Sequence, residues 1–585
     1  MSKALSAPPV LVDLALSLLT HFGLLLAAFG LAVLAARGLQ RLVAIRYAVA
    51  LAVTALMMLV ALVGLNAAFF PKSNVNFVFG TLAFPAPGWA CLAGIAFLVL
   101  VSLFPLGKRL LAPGLVALVL AAIPLSLVLP YQALGKADSS SRHRNIIIIG
   151  IDSLSRDTLL HYETEIPTVA SLYRASLAAP GALTPLARTF PAWITTLSGK
   201  PPAETGAFFN LTEIGASTKQ ALISTQLQQQ GYQTLFAIDE RRFCNIDESY
   251  GFDKVLGPKP GVLDFALQGV NDTPLTNLLL QTRLGGHLLK QSYMNTASHV
   301  NYDETAILDA IEHSLDGRPL FLAVHFESAH FPFRTRFNER APKTDNKFLA
   351  DHLRALQVVD RQVAGLMARL KAHGLLENSL IVLMSDHGES FGEVESVIEG
   401  SPEPLVVQGY GHGANVLSEH EHNIVLGFLQ FAGGKPVHEP SAISGIVPLQ
   451  QVKPALEAFA AHGTLSVAPT TACVSLETGI RFAAAADYRT LDQQKLAQEA
   501  AGYYTVDQDG RLLIDPARLH ELTATKDVAV RCGNILALHR YQDGKTQFLA
   551  LGETKKLLKS GDVKTRMALD NYAQRLQAAA SSVQK

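Results

Sequence analysis

Asp386 and His387 stand side by side in the segment LMSDHGESFGE. A carboxylate next to an imidazole, just past an apolar run, offers donors that suit a divalent metal. Gly388 lets the backbone turn close to an ion. A lone DHG is also common in surface turns, so the metal reading leans on a second feature: Asp152 closes another apolar run, NIIIIGID. Thr189 stands in ARTFPAWITTLSG, and Pro191 suits the first turn of a helix. Thr189 then sits at a helix amino terminus, where backbone N–H groups and the dipole favour anions. Its hydroxyl is a poor nucleophile until a metal lowers its pKa; the plain alternative is an N-cap threonine. His330, in FESAHFPF, and His412, in the glycine-rich GYGHGANV, add two imidazoles that can exchange protons near neutrality. His325 lies inside an apolar run and reads as a core residue, whereas Glu327 either faces the site or forms a salt bridge. His420 and His422, in SEHEH, read as a solvated loop. Glu389 and Glu393 read as loop residues or as groups that orient ligands.

These residues need strands to position them, and the sequence supplies runs of the right texture. Residues 145–152 (NIIIIGID), 232–239 (YQTLFAID), 320–326 (LFLAVHF) and 379–386 (SLIVLMSD) are continuous apolar stretches. Strands buried on both faces of a parallel sheet read this way. Helical patterns separate them, for example over 353–373, which predicts an open α/β sheet covered on both faces. Asp152, Asp239 and Asp386 each end a run, and His330 follows another by four residues. In such sheets ligands bind outside the carboxyl ends of the strands.

The first 135 residues belong to a different solvent. They hold seven basic residues and one acidic, a net of +6; the remaining 450 hold 42 basic and 48 acidic, a net of −6. The formal charge of zero is therefore a cancellation, and the mean hydropathy of +0.24 is high for a soluble protein. No basic patch marks a nucleic-acid binder. Stretches at 12–35, 47–70, 86–107 and 110–132 are each apolar and long enough to span, since about 20 residues cross a hydrocarbon core. The expected anchor is thus four transmembrane helices over 1–135. The first stretch is too long for a cleaved signal peptide, and no small-residue cleavage site follows it. Arg37, Arg41 and Arg46 lie between the first two stretches, and Lys108 and Arg109 between the last two. Both turns are expected in the cytoplasm, with loop 71–85 and everything after 132 outside.

Residues 136–144 (KADSSSRHR) read as a polar linker, 145–469 as the catalytic domain, and 470–585 as a C-terminal subdomain. Hairpins are expected over 503–514 and 534–551, with Asp509-Gly510 and Asp543-Gly544 at their turns, so the subdomain should hold a small antiparallel sheet. Cys473 and Cys532 are a possible pair outside the membrane, though spacing alone does not fix connectivity. No CxxC occurs, so thiolate zinc chemistry has no support.

The order IIIIGIDSLSRD, RTFPAWITTLSG, QVVDRQVAGLMARL, SDHGESFGE and GHG resembles the alkaline phosphatase/sulfatase superfamily over roughly 145–465. Within it, the sequence is most similar to the membrane-anchored branch of phosphoethanolamine and phosphoglycerol transferases, and the fold implied is alkaline-phosphatase-like, with a mostly parallel central sheet. The nucleophile segment resembles nucleotide pyrophosphatase/phosphodiesterases: Thr189-Phe190-Pro191 leads to Ser198-Gly199 and then Asn210. The resemblance implies Thr189 as nucleophile and Asn210 as a donor to phosphoryl oxygens. It implies zinc or manganese on Asp152, Thr189, Asp386 and His387. It places His330 and His412 on the transferred group, its leaving oxygen or a second metal. Two-metal relatives carry an aspartate four residues before that first histidine; here the position is Phe326, with Glu327 one residue off, which argues against a complete second site of that kind. Sulfatases proper convert a cysteine or serine to an aldehyde within a pattern ending in arginine. Thr189 and Trp193 occupy those positions here, and threonine cannot yield that aldehyde.

Together these features imply a metal-dependent phosphotransferase or phosphodiesterase in a bacterial inner membrane, its domain facing the periplasm. The expected donor is a membrane phospholipid, whose phosphoethanolamine or phosphoglycerol head group moves to an envelope glycan or glycolipid. A sulfatase-like hydrolase of another ester is one alternative. A non-catalytic lipid sensor on the same fold is the other, and the intact ligand set argues against it.

Overall fold

The computed structural model describes residues 8–70, 73, 75, 144–258, 270–289, 292, 304–333, 340–400, 405–482, 492–508, 511–552 and 555–582. The apolar runs form strands. β1 spans Asn145–Ile151, β2 Gln233–Ile238, β3 Lys254–Leu256, β4 Leu320–Phe326, β5 Asn378–Ser385 and β6 Leu426–Ala432. Their order in the main sheet is β6-β5-β1-β4-β2-β3, extended beyond β6 by the short strands Leu177–Ala178 and Ser441–Ala442. β1 lies between β4 and β5 and is parallel to both, with Ile151 in register with Phe326 and Ser385. β2 and β3 continue the parallel set. β6 runs antiparallel to β5, so the sheet is mixed rather than parallel to its edge. Strand direction leaves no trace in an apolar run, which is why the sequence does not show the reversal.

Both faces of the sheet are covered, as the unbroken apolar runs require. One face, with Ile146, Ile148, Phe321 and Val382, packs on Phe190, Trp193 and Ile194. Those three belong to helix α3, Thr189–Ser198. The other face, with Ile147, Ile149, Leu322 and Leu383, packs on Leu353, Leu356, Val359, Val363 and Leu366. These recur at the three-to-four-residue spacing of one helix face on helix α4, Lys347–Ala372. Asn346 caps α4 by accepting from the amides of Phe348 and Leu349.

A second, seven-stranded sheet follows. Val474–Glu477, Val528–Cys532, Ile535–His539 and Thr546–Ala550 are antiparallel neighbours, and the Tyr504–Val506/Leu512–Ile514 pair forms a separate hairpin. The sheet also takes Ser396–Glu399 and Leu405–Val407 from before residue 470. Cys473 and Cys532 form a disulfide between its two neighbouring strand ends.

Near the amino terminus, α1 (Pro8–Val43) and α2 (Tyr47–Phe69) are the two helices among the described residues that are long and apolar enough to cross a membrane. Neither behaves as a core helix: Leu19, Phe22, Leu25 and Phe29 on α1 are 61–67% exposed, and Leu56 and Leu59 on α2 are 61% and 54% exposed. Thr54 ties the pair together by donating to the carbonyl of Ala32. A polar seam joins them to the larger domain. Ser17 donates to Asn271, Ser73 to Asp272, and Asn277 to Asn66, all buried. The expected spans at 86–107 and 110–132, the turn at Lys108 and Arg109, most of loop 71–85, linker residues 136–143 and the Asp509-Gly510 turn lie outside the described residues.

Candidate metal centre and nucleophile

Adjacent parallel strands deliver adjacent acids. Asp152 follows β1 and Asp386 follows β5, so the register of Ile151 with Ser385 places the two carboxylates side by side. Both are fully buried. His387 completes a compact set with them: its Nε2 is 3.3 Å from Asp386 Oδ2 and 3.9 Å from Asp152 Oδ2. Ser153, just after Asp152, has a left-handed backbone (φ 58°). That conformation is costly for serine. It directs the Ser153 amide at Asp386 Oδ1 (3.3 Å) and the hydroxyl at Asp152 Oδ1 (2.5 Å).

Thr189 opens α3 with its hydroxyl 3.4 Å from Asp152 Oδ2. Asn210 lies beside it, its side-chain oxygen accepting the Phe190 amide at 3.1 Å. The loop carrying Asn210 is clamped from the C-terminal region. Lys526 donates to the carbonyl of Phe208, and Ile514 N–H to that of Leu211. Lys526 in turn forms a fully buried ion pair with Glu477, which also accepts from the Tyr572 hydroxyl at 2.5 Å.

The two outer histidines flank the acids without joining Asp152, Asp386 and His387 in that set. His412 stacks on His387 with ring centroids 4.2 Å apart, and its Nδ1 is 2.7 Å from Glu389 Oε2. Burial, helped by the charges of His387 and Arg188, holds His412 well below the ordinary imidazole range. His330 contacts His412 edge-on at 5.8 Å and stacks on Phe243 at 5.5 Å. A row of rings thus leads outward from His387. Asp239, which ends β2, does other work: it accepts the Glu327 amide and the Gln362 side chain.

Two sequence readings need correction, and a third is decided between its alternatives. His325 is buried but is not a satisfied core residue: neither ring nitrogen has a hydrogen-bond partner. Its Nε2 faces Glu327 Oε1 at 3.3 Å, Asp386 Oδ2 at 3.5 Å and Asp152 Oδ2 at 3.8 Å. Burial opposes its charge, yet Asp386, Glu327 and Asp152 hold it well above the ordinary range. Its signal in the sequence was faint, a histidine one residue before the end of a strand. Glu327 does face the site, beside His325. The SEHEH segment is not a solvated loop. It forms a short helix in which Glu421 and His422 are buried; Glu421 accepts the amides of Ala414 and Asn415 and so braces the loop after His412.

The donor set fits a divalent cation. Asp386 Oδ2 and His387 Nε2 are buried with no hydrogen-bond partner, and an unpaired buried carboxylate is costly unless a cation or donor meets it. Imidazole with two carboxylates is borderline to hard, in keeping with zinc or manganese.

The sulfatase family profile matches residues 144–439, a span that includes Asp152, Thr189, Asn210, His330, Asp386, His387 and His412. Among solved structures the chain is similar to Ps i-CgsB in complex with k-i-k-neocarrahexaose (16% identity over 75% of this chain and 94% of that one, TM-score 0.47). It is also similar to the phosphonate monoester hydrolase SpPMH of Silicibacter pomeroyi (14%, 75% and 95%, TM-score 0.44). A third is the lipoteichoic acid synthase LtaP of Listeria monocytogenes (12%, 80% and 98%, TM-score 0.43). No curated protein matches the chain.

Proposed function

The chain belongs to the sulfatase family, and from that premise we propose that it is a metal-dependent phosphoryl-group transferase or phosphodiesterase with Thr189 as nucleophile. It moves a phospholipid-derived head group, phosphoethanolamine or phosphoglycerol, to an envelope glycan or lipid. The observation that carries this reading is a threonine at a helix amino terminus with its hydroxyl 3.4 Å from Asp152 of a buried ligand set. Threonine at that position excludes the aldehyde route of sulfate-ester hydrolysis and favours direct attack by the hydroxyl.

Asp152, Asp386, His387 and Thr189 would hold a zinc or manganese ion, which would supply positive charge to acidify the threonine hydroxyl and offset charge on the phosphoryl group. Asp152 accepts the Thr189 hydroxyl and orients it. Thr189 passes its hydroxyl proton to Asp152 as Oγ bonds to phosphorus, the bond from phosphorus to the first alcohol's oxygen breaks, that alcohol leaves with a proton from His330, and a phosphothreonine diester remains. The positive end of the α3 dipole favours the charge that develops on the phosphoryl oxygens, although in its first turn the Phe190 amide is given to Asn210 and Pro191 has none. Asn210 has its oxygen engaged by the Phe190 amide, which leaves its NH2 group as the donor to that charge. His330 exchanges protons with the departing and entering alcohols, while His412, kept neutral by burial and held in place by Glu389, accepts a hydrogen bond from them. A second hydroxyl then attacks phosphorus and frees Thr189. Exposed apolar surface on α1 and α2 supports a site held at a membrane, where a phospholipid donor is at hand; we place the domain on the periplasmic side of a bacterial inner membrane.

Membranes given a head-group-labelled phospholipid test the proposal. Label should pass to another lipid or a glycan if the acceptor is a hydroxyl of either. Label released only as the free phosphorylated head group would make the protein a phosphodiesterase. Label that stays on the donor would refute the proposal.

A further inference from the structure

We infer that the centre holds a second divalent cation, bound by Asp152, His325 and Glu327, with Asp152 shared between the two ions. The inference rests on the metal dependence proposed above and adds a ligand set to it. Ligand atoms of these three residues lie within 4.8 Å of one another, as do those of Asp152, Asp386 and His387. The residues come from two paired strands: Asp152 from the end of β1, His325 from within β4, and Glu327 just after it.

The first argument is spacing. Ligands bound to one zinc at 2.0–2.2 Å in a tetrahedron sit about 3.3–3.6 Å from one another. His325 Nε2 is 3.3 Å from Glu327 Oε1, 3.5 Å from Asp386 Oδ2 and 3.8 Å from Asp152 Oδ2, at or near that edge and too long for good hydrogen bonds. The second argument is His325 itself. It is fully buried, both ring nitrogens lack a hydrogen-bond partner, and Nε2 points into the carboxylates.

The third argument is that the surroundings are built to hold that ring. In-register pairing puts Gly150 opposite His325. A Cβ on Gly150 would lie 2.7 Å from His325 Nδ1 and 2.7 Å from Trp193 Cζ2. Only glycine leaves the ring its place against Trp193, whose centroid is 5.4 Å away. Glu327 is fixed by its backbone, since Asp239 accepts its amide at 2.8 Å. Among the described residues, the one basic group within ion-pair distance of Glu327 is His325. One imidazole and two carboxylates favour zinc or manganese over calcium or magnesium.

The test counts ions on the full-length chain in detergent, loaded with manganese and freed of excess by gel filtration. Wild type should carry two manganese per chain and show the exchange-coupled electron paramagnetic resonance signal of a close pair. Glu327→Gln and His325→Gln should each carry one, with an uncoupled six-line signal, while keeping the circular dichroism of metal-free wild type. One manganese per chain in wild type overturns the inference, whether the His325 site is filled by a proton or by nothing. Two in both variants also overturns it. Asp386→Asn separates this inference from the proposed function. If wild type binds one ion that Asp386→Asn loses and Glu327→Gln keeps, only the second site falls. If wild type binds neither manganese nor zinc, the metal dependence falls with it.

Discussion

Replacing Gly150 by alanine puts a methyl group where two rings already sit. The new Cβ would lie 2.7 Å from both His325 Nδ1 and Trp193 Cζ2, and 3.3 Å from the carbonyl oxygen of Val324 on the neighbouring strand. Ordinary contact begins at 3.4 Å, so each ring must give way by about 0.7 Å, the difference between 3.4 and 2.7 Å. Neither can swing clear cheaply. Trp193 is fully buried under Phe236, and His325 is fully buried on a central strand. Overpacking of this kind costs about 1–3 kcal/mol. The same displacement is several times the ~0.2 Å tolerance of a metal–ligand distance, and disturbing support behind a ligand lowers metal affinity by about 10–100-fold. The assay is paired: thermal unfolding followed by tryptophan fluorescence, and a manganese titration against a chelator. Gly502→Ala is the control, because a Cβ there meets nothing within 4 Å. A Gly150→Ala protein with the melting temperature and manganese affinity of Gly502→Ala would refute the packing of His325 against Gly150.

Three further outcomes follow from other parts of the fold. Lys526→Met leaves Glu477 buried without its cation, which should cost about 3–5 kcal/mol. Head-group transfer should also fall, because Lys526 holds the Phe208 carbonyl two residues before Asn210; transfer at the wild-type rate would show that the Asn210 loop needs no clamp. Cys473 and Cys532 are 59 residues apart, and chain entropy puts the loss on replacing both by serine at about 4 kcal/mol, seen as a lower melting temperature than oxidised wild type. His352 is buried among Phe333 and Phe391, and burial pushes its pKa from 6.5 down to about 3. The unfolded chain therefore binds a proton that the folded chain refuses between those values, so stability falls as pH drops through that window. His352→Leu should flatten that part of the acid limb in melting temperature against pH; an unchanged slope would place the proton elsewhere.

How much of this was legible in sequence depends on which interactions are local. The β-branched run NIIIIGI declared β1, and its closing Asp152 marked a strand end, because burial on both faces leaves no room for polar residues until the strand stops. The same logic found Asp386. It misjudged His325, since a histidine inside such a run looks like packing until the register shows Gly150 opposite it and Asp386 beyond β1. It misjudged SEHEH because polar composition suggests solvent. Burial there comes from Ser418 capping the turn and from Glu421 satisfying the Ala414 and Asn415 amides, which no composition reveals. The reversed direction of β6 and the recruitment of Ser396–Glu399 into the second sheet are long-range pairings. Nothing in either segment's own pattern specifies them.

In the proposed reaction Thr189 carries the phosphoryl group between two alcohols. Full-length protein mixed with a head-group-labelled phospholipid, quenched in acid within the first turnover and digested, gives the most direct measurement by mass spectrometry of the peptide containing Thr189. The account predicts a phosphorylated head group esterified to Thr189, absent from Thr189→Ala, whose turnover is abolished while its melting temperature stays at that of wild type. Label on a different residue, or full turnover by Thr189→Ala, would contradict it.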